Sequence, residues 1–448
     1  MRVVRAAELE YGKTKNACEA GIMAAVKPNS IRLIALASLV GTTIEWYDFF
    51  LYGTAAALVF NQLFFPTFDP LTGTLAAFGT YAVGFMARPI GGAIFGHFGD
   101  RLGRKSMLVL TLVIMGVATF LIGLLPTYEH IGVWAAIALI VLRIAQGLGV
   151  GGEWGGAVLM AVEHAPARKR GFYGSWPQLG VPAGLLLSTA VFAVFARLPA
   201  ADFLAWGWRI PFLLSVFLVA VGLVIRLRLL ETPAFTRIKE TRNEVRMPIL
   251  EVVRRYPRQL LLAMGVRIAE NGAFYIYSVF VLLYATQQVH MQRDVVLNAI
   301  LLGAACELVT IPLFGALSDR IGRRPVYLFG AIATALFAYP LFALLDTGSP
   351  PLVWLALIVA FAISHAAMYA PQGAFLSEMF GANVRYSGAS LGSQLASVLA
   401  GGLSPFIATA LLRHYGHGGP IALYVVGMAL ITIFAVTLAR ETSRDEIS

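Results

Sequence analysis

This sequence predicts an all-α membrane protein of twelve transmembrane helices, arranged as two pseudo-symmetric six-helix bundles. Three observations carry the prediction. First, 58% of its 448 residues are hydrophobic and only 13% charged, with a mean hydropathy of +0.75. A soluble chain carries charge on roughly a quarter of its residues. Second, the apolar residues fall in runs such as 106–125, 134–142, 212–225 and 421–438, several near the ~20 residues that cross a bilayer. Third, two charged motifs each occur twice, once in each half of the chain.

Backbone groups in hydrocarbon must be satisfied within their own segment, so such runs read as helices. They lack the dyad alternation of a membrane β-barrel. Spans are expected near 33–58, 73–98, 106–126, 131–160, 172–197 and 208–229, then near 259–287, 296–317, 326–346, 351–379, 387–412 and 420–439. Residues 1–30 read as a cytoplasmic tail; they mix charge with short apolar stretches and make a poor signal peptide. A start at Met23 is an alternative. Residues 31–229 then form the first bundle, 230–257 a polar cytoplasmic inter-domain loop, 258–440 the second bundle and 441–448 a cytoplasmic tail.

The net charge of +10 raises the question of nucleic acid, and its distribution answers it. With both termini inside, only Arg197, Arg209, Arg293 and Arg413 fall on the outer face. Arg88, Arg143 and Arg267 lie within spans, and the rest of the 34 Lys and Arg face the cytoplasm. This is the positive-inside asymmetry of a membrane protein. Cys18 and Cys306 offer neither a disulfide framework nor a metal site. No phosphate loop, HExxH helix or paired cysteine ligands occur, so neither an enzyme nor a cofactor or metal is expected.

The halves echo each other. GHFGDRLGRKSML at 96–108 recurs as GALSDRIGRRPVYL at 315–328, and Glu163…Arg170 recurs as Glu378…Arg385 at nearly the same separation. This argues for duplication, with parallel halves around a central cavity. The repeated loops resemble the cytoplasmic loop motif of the major facilitator superfamily. EWYDFFLYG at 45–53, RPIGGAIFGHFGDRLGRK at 88–105, RIAQGLGVGGEWGGA at 143–157, WGWRIPFLLS at 206–215 and SEMFGANVRYSGAS at 377–390 resemble the metabolite:proton symporter family. That family includes permeases for shikimate, 2-oxoglutarate, citrate, and proline or betaine. The resemblance implies the major facilitator fold in a cell inner membrane. Glu45 stands where many relatives show Asp.

Charge inside a span is costly, so it faces a cavity or a partner. Glu45 and Asp48 share one helical face. Two acids that close do not both ionise cheaply away from water, so one of them is expected to hold a proton. With Glu153 and Glu270 they are the proton-coupling candidates. Arg143 either pairs with a fixed acid or grips a carboxylate bidentately. Around it Gly147, Gly151 and Gly155 form a stripe for close helix contact. Arg267 and Glu270 form a second pair, followed by Asn271 and Tyr275. Arg143, Arg267, Asn271, Tyr275, Gln146, Gln178, His365, Gln372 and Gln394 are therefore the substrate-binding candidates, with Glu307 completing the wall. Trp46, Tyr47, Trp154 and Trp176 are candidate cavity aromatics. Pro177, Pro182 and Pro371 are expected to interrupt spans five and ten.

By resemblance, Asp100, Arg101, Arg104, Glu163 and Arg170, with Asp319, Arg320, Arg323, Glu378 and Arg385, latch the inner ends of the halves together. An Asp caps a neighbouring helix while an Arg pairs with acids at helix ends. The expected function is proton-coupled symport of a small organic acid by a monomer using alternating access. A zwitterionic osmolyte or uncoupled flux are the alternatives.

Overall fold

The computed structural model describes residues 31–102, 104–151, 154–228, 248–380 and 385–444. Among them there is no strand. In the first half, α1 (Ile31–Leu58), α2 (Pro70–Leu102), α3 (Arg104–Leu124) and α4 (Val133–Val150) are followed by a helix at Trp154–His164 that continues span four. The short helix Arg170–Gly174 leads into α5 (Trp176–Ala196), and α6 is Arg209–Arg228. In the second half come α7 (Pro257–Gln288), α8 (Arg293–Ile321), α9 (Arg323–Asp346), α10 (Pro350–Glu378), α11 (Ser387–Tyr415) and α12 (Gly419–Leu438). At least eight of the helices are long and apolar enough to cross a membrane.

Close approach is built from glycine. Gly147 of α4 and Gly151, just past its end, lie against the backbone of α2 at Gly84 and Arg88, where any Cβ would collide. Gly180 and Gly184 of α5 receive Thr42 and Trp46 of α1 in the same way. Pro177 sits in the first turn of α5 and Pro182 inside it, yet the helix runs unbroken to Ala196. The expected interruption of span five is absent: Pro177 falls in the first turn, where a helix needs no N–H, and the helix continues through Pro182 despite the hydrogen bond it removes. Pro371 likewise leaves Ala366–Glu378 continuous, with a wider π-helical turn, Ala360–His365, just ahead of it. A second such turn, Ser397–Gly402, adjusts α11 where it meets the middle of the protein. Between the halves, α5 packs on α8 and α2 on α11.

Part of the segment read as an inter-domain loop is helical, at Pro248–Arg255. Pro at its first position and Arg254 and Arg255 in its last turn suit a helix. Residues 229–247 lie outside the described residues.

Glu441, the first residue of the expected tail, ties down the start of α9. Gly322 adopts φ +105°, a conformation open to glycine, and turns the first N–H groups of α9 outward. Glu441 accepts from Arg323 N and Arg324 N at 2.9 Å each. Burial raises the Glu441 carboxyl, but the backbone N–H groups of Arg323, Arg324 and Ser443 outweigh it and hold it below the ordinary range. A carboxyl lowered on folding adds stability above its unfolded value and loses it as pH falls through the folded one. Glu441→Gln is expected to cost about 1 kcal/mol at neutral pH, as for loss of a helix cap. The gap from wild type should close in acid. A gap in thermal unfolding that is the same at neutral and acid pH would reject the capping charge.

Candidate functional site

A small cavity lies between the halves, lined by Glu45, Trp46 and Arg88, by Val150 and Trp154, and by Arg267, Ser393, Gln394 and Ser397. Arg88 comes from α2 of the first half and Arg267 from α7 of the second. Both are almost fully buried. Arg88 stacks over Phe85 at 4.1 Å, Phe49 at 4.2 Å and Trp46 at 5.4 Å, and its Nε and Nη2 have no hydrogen-bond partner among the described residues. Arg267 lies 4.9 Å over the Trp154 ring, with Nη1 unpartnered among the described residues. Its Nε stands 3.7 Å from Glu270 Oε2. A buried guanidinium with unused N–H groups is costly unless an acceptor completes it.

Behind Arg267, away from the cavity, runs a line of buried polar groups. Gln372 Nε2 donates to Glu270 Oε2 at 2.7 Å and contacts the Tyr327 hydroxyl at 3.1 Å. His365 presents Nε2 to Glu270 Oε1 at 3.2 Å and Nδ1 to Glu307 Oε1. The expected binding wall is thereby divided. Arg267 and Gln394 face the cavity, while Glu270, His365, Gln372 and Glu307 form a second layer outside its lining. Asn271 donates to Ser397 Oγ at 3.3 Å and so braces the lining. Gln394 spans the halves through Gly151 O at 3.2 Å. Gln178 accepts from Trp154 Nε1 at 3.1 Å and reaches Tyr369 O across the halves.

Arg143 and Gln146 lie elsewhere. The Arg143 guanidinium is walled off by Phe49, Tyr52 and Tyr81 at 4.2–4.5 Å. It donates to Gln146 Oε1 at 3.0 Å, and Gln146 donates to Thr119 at 2.7 Å. Asp48 is fully buried, with no hydrogen-bond partner for either oxygen among the described residues. Glu153 lies outside the described residues. Tyr275 belongs to an aromatic layer beyond the cavity, with Phe85 at 5.1 Å and Phe49 at 6.1 Å. Phe50 meets Phe274 at 5.6 Å in the same layer, joining α1 and α7.

Elsewhere the halves are joined by the second copy of the repeated loop. Asp319 of α8 accepts from Gly171 N at 2.8 Å and Phe172 N at 2.9 Å, capping the Arg170–Gly174 helix of the opposite half. Arg323 Nη1 donates to Asp319 at 2.7 Å and its Nη2 meets Glu378 at 3.3 Å. Arg385 donates to Phe380 O, and Arg320 is exposed. The side chains of Asp100, Arg101, Arg104 and Glu163 lie outside the described residues. Sequence reasoning finds Arg88 as a charge within a span but misses it as a site residue, because its place beside Pro89 in a loop motif hides it.

The sequence matches the family model described as sugar (and other) transporter at residues 33–252 and again at 238–447. The chain belongs to this family, within the major facilitator superfamily. Among curated relatives of this transporter, it is 45% identical to the shikimate transporter of Escherichia coli K12 over 92% of this chain and 95% of that one. It is 40% identical to an inner membrane metabolite transport protein of the same organism, over 94% and 96%. It is 35% identical to that organism's proline/betaine transporter, over 93% and 85%. Among solved structures, a D-xylose-proton symporter superimposes with a TM-score of 0.71 at 20% identity, covering 91% of this chain and 98% of that one. That likeness fixes the fold. The transporter is a major facilitator that moves small solutes and not an enzyme.

Proposed function

We propose that this transporter carries a small hydroxylated organic anion, shikimate-like in character, into the cell together with a proton. The halves rock around the central cavity, with the Asp319 end cytoplasmic. The observation that carries the reading is the pair of guanidinium groups, one from each half, on a single cavity. A carboxylate between Arg88 and Arg267 would satisfy N–H groups that are otherwise unused and would bridge the halves. Ser393, Ser397 and Gln394 supply hydrogen bonds for hydroxyl groups. The 45% likeness to a shikimate transporter supports the same class.

The zwitterion alternative rests on the proline/betaine relative. A quaternary ammonium is held by aromatic faces. Here Trp46 and Trp154 already stack against guanidinium groups, which favours the anion. The test is uptake of labelled shikimate, proline and betaine into proteoliposomes, with and without an inward proton gradient. Gradient-stimulated accumulation of shikimate is expected. Uptake of betaine but not shikimate would overturn the substrate class; shikimate flux indifferent to the gradient would overturn coupling alone.

A further inference from the structure

The Glu270–His365–Glu307 line contains a proton count. A neutral imidazole has one N–H and one lone pair. Here both ring nitrogens face carboxyl oxygens, Nδ1 toward Glu307 and Nε2 toward Glu270. If both carboxyls were ionised and the ring neutral, one nitrogen lone pair would point at a carboxylate oxygen. The arrangement is consistent only if the three groups together hold one proton beyond that state. It sits either on the ring, as imidazolium donating both ways, or on a carboxyl donating to the ring. All three side chains are buried, at 3% exposure or less, so water cannot resolve the conflict.

We infer that Glu270, His365 and Glu307 form the proton-carrying site of this transporter, and that Arg267 links its occupancy to the solute. The inference rests on the symport reading above. With the proton absent, the Glu270 carboxylate claims Arg267 and repels an incoming anion. When a proton arrives and moves from His365 Nε2 to Glu270, the neutral acid releases Arg267. The guanidinium then turns its N–H groups to the solute's carboxylate. Loss of the proton restores the Glu270 carboxylate, which reclaims Arg267 and ejects the anion. One proton and one negative charge enter and leave together, so the buried cluster never carries an uncompensated change of charge.

The surroundings fit a site of this kind. The charged and titratable groups facing the ring are Glu270 and Arg267 from α7, Glu307 from α8, and Tyr369 of α10 itself, stacked at 4.9 Å. Tyr327 of α9 reaches the same carboxyl through Gln372. Phe274 covers the ring from α7 at 4.4 Å and closes it from solvent. Glu307 lies two groups behind the cavity, out of the solute's reach. Its second oxygen has no hydrogen-bond partner among the described residues.

The test compares wild type, Glu307→Gln and Asp48→Asn in proteoliposomes, measuring gradient-driven accumulation of labelled shikimate against its counterflow exchange without a gradient. Glu307→Gln is expected to lose accumulation about tenfold or more while exchange stays within about twofold, the signature of lost coupling with binding kept. Full accumulation by Glu307→Gln, or loss confined to Asp48→Asn, overturns the assignment. A wild type that exchanges shikimate without responding to the gradient refutes the symport reading itself and the relay with it. Should Glu307→Gln fold poorly, nitrogen-labelled histidine spectra of the wild type decide independently, with the His365 signal identified by its loss in His365→Gln. The expected result is a His365 protonation state that changes with pH and with added shikimate. One fixed tautomer throughout overturns the proposal.

Discussion

Asp319→Ala is expected to open the α8 end of the transporter and to stop net transport. The carboxylate is 7% exposed and does two jobs at once. It takes two N–H groups from the start of the Arg170–Gly174 helix in the other half, and it neutralises Arg323, whose side chain is fully buried. Alanine leaves both N–H groups without their acceptor and leaves Arg323 with Glu378 as its acid partner and the Ser318 hydroxyl as a neutral acceptor. A hydrogen bond to a charged group is worth about 1.5–3 kcal/mol, so losing the two that cross between the halves shifts an open–closed equilibrium by roughly a hundredfold, whereas the Arg323 pair lies within one half. The loss falls on the closed form, because the opposite half supplies the N–H groups only when the end is shut. Asp319→Asn keeps one acceptor oxygen and should fall between. The measurement is the labelling rate of Ser377→Cys, a buried position on α10, in a background carrying Cys18→Ser and Cys306→Ser. A rate equal to that of the intact latch would reject the clamp. Gly171→Ala should act in the same direction, since its Cβ would stand 2.6 Å from the Gly315 carbonyl across the halves.

What the sequence discloses and what it conceals divide along one physical line. Hydropathy runs and the doubled loop are local in the chain, so the helices are legible in the order of residues, while the second-half cluster around Asp319 is expected only through the resemblance that the doubled loop carries. The Glu270–His365–Glu307 line joins three helices, and nothing in that order says that α7, α8 and α10 present those side chains at one level. Arg143 shows the converse. Its charge in span four is conspicuous, but the rings of Phe49, Tyr52 and Tyr81 that wall it from the cavity come from two other helices. Arg88 gains its place opposite Arg267 only through the crossing of α2 with α11. Glu441 lies past the last apolar run and reads as tail, because a carboxylate that caps a distant helix leaves no periodic trace.

Arg267→Gln should abolish shikimate uptake, and the reason it should fail more completely than Arg88→Gln lies in the second layer. Both guanidiniums face the cavity, but it is Arg267 that stands beside Glu270, at 3.7 Å. Its removal deletes a bidentate anion contact and leaves Glu270 with only His365 and Gln372 to offset a buried negative charge. Loss of a buried, hydrogen-bonded charge partner at a binding site costs about 2–5 kcal/mol, or more than roughly thirtyfold in affinity. Arg88 belongs to the opposite half and is held by the faces of Phe49 and Phe85, so its loss should weaken binding without disturbing the proton. Arg267→Lys tests geometry against charge. An ammonium keeps the charge but not the planar fork, so it should pair with Glu270 while holding the solute poorly. Trp154 lies against Arg267 and provides the readout, since solute binding should change its fluorescence. If Arg267→Lys bound shikimate as tightly as wild type, simple charge would account for recognition and the fork would have no part in it. If Arg267→Gln still accumulated shikimate against its gradient, the anion would have to be held by Arg88 alone, and the exchange of partners between Glu270 and the solute would fall.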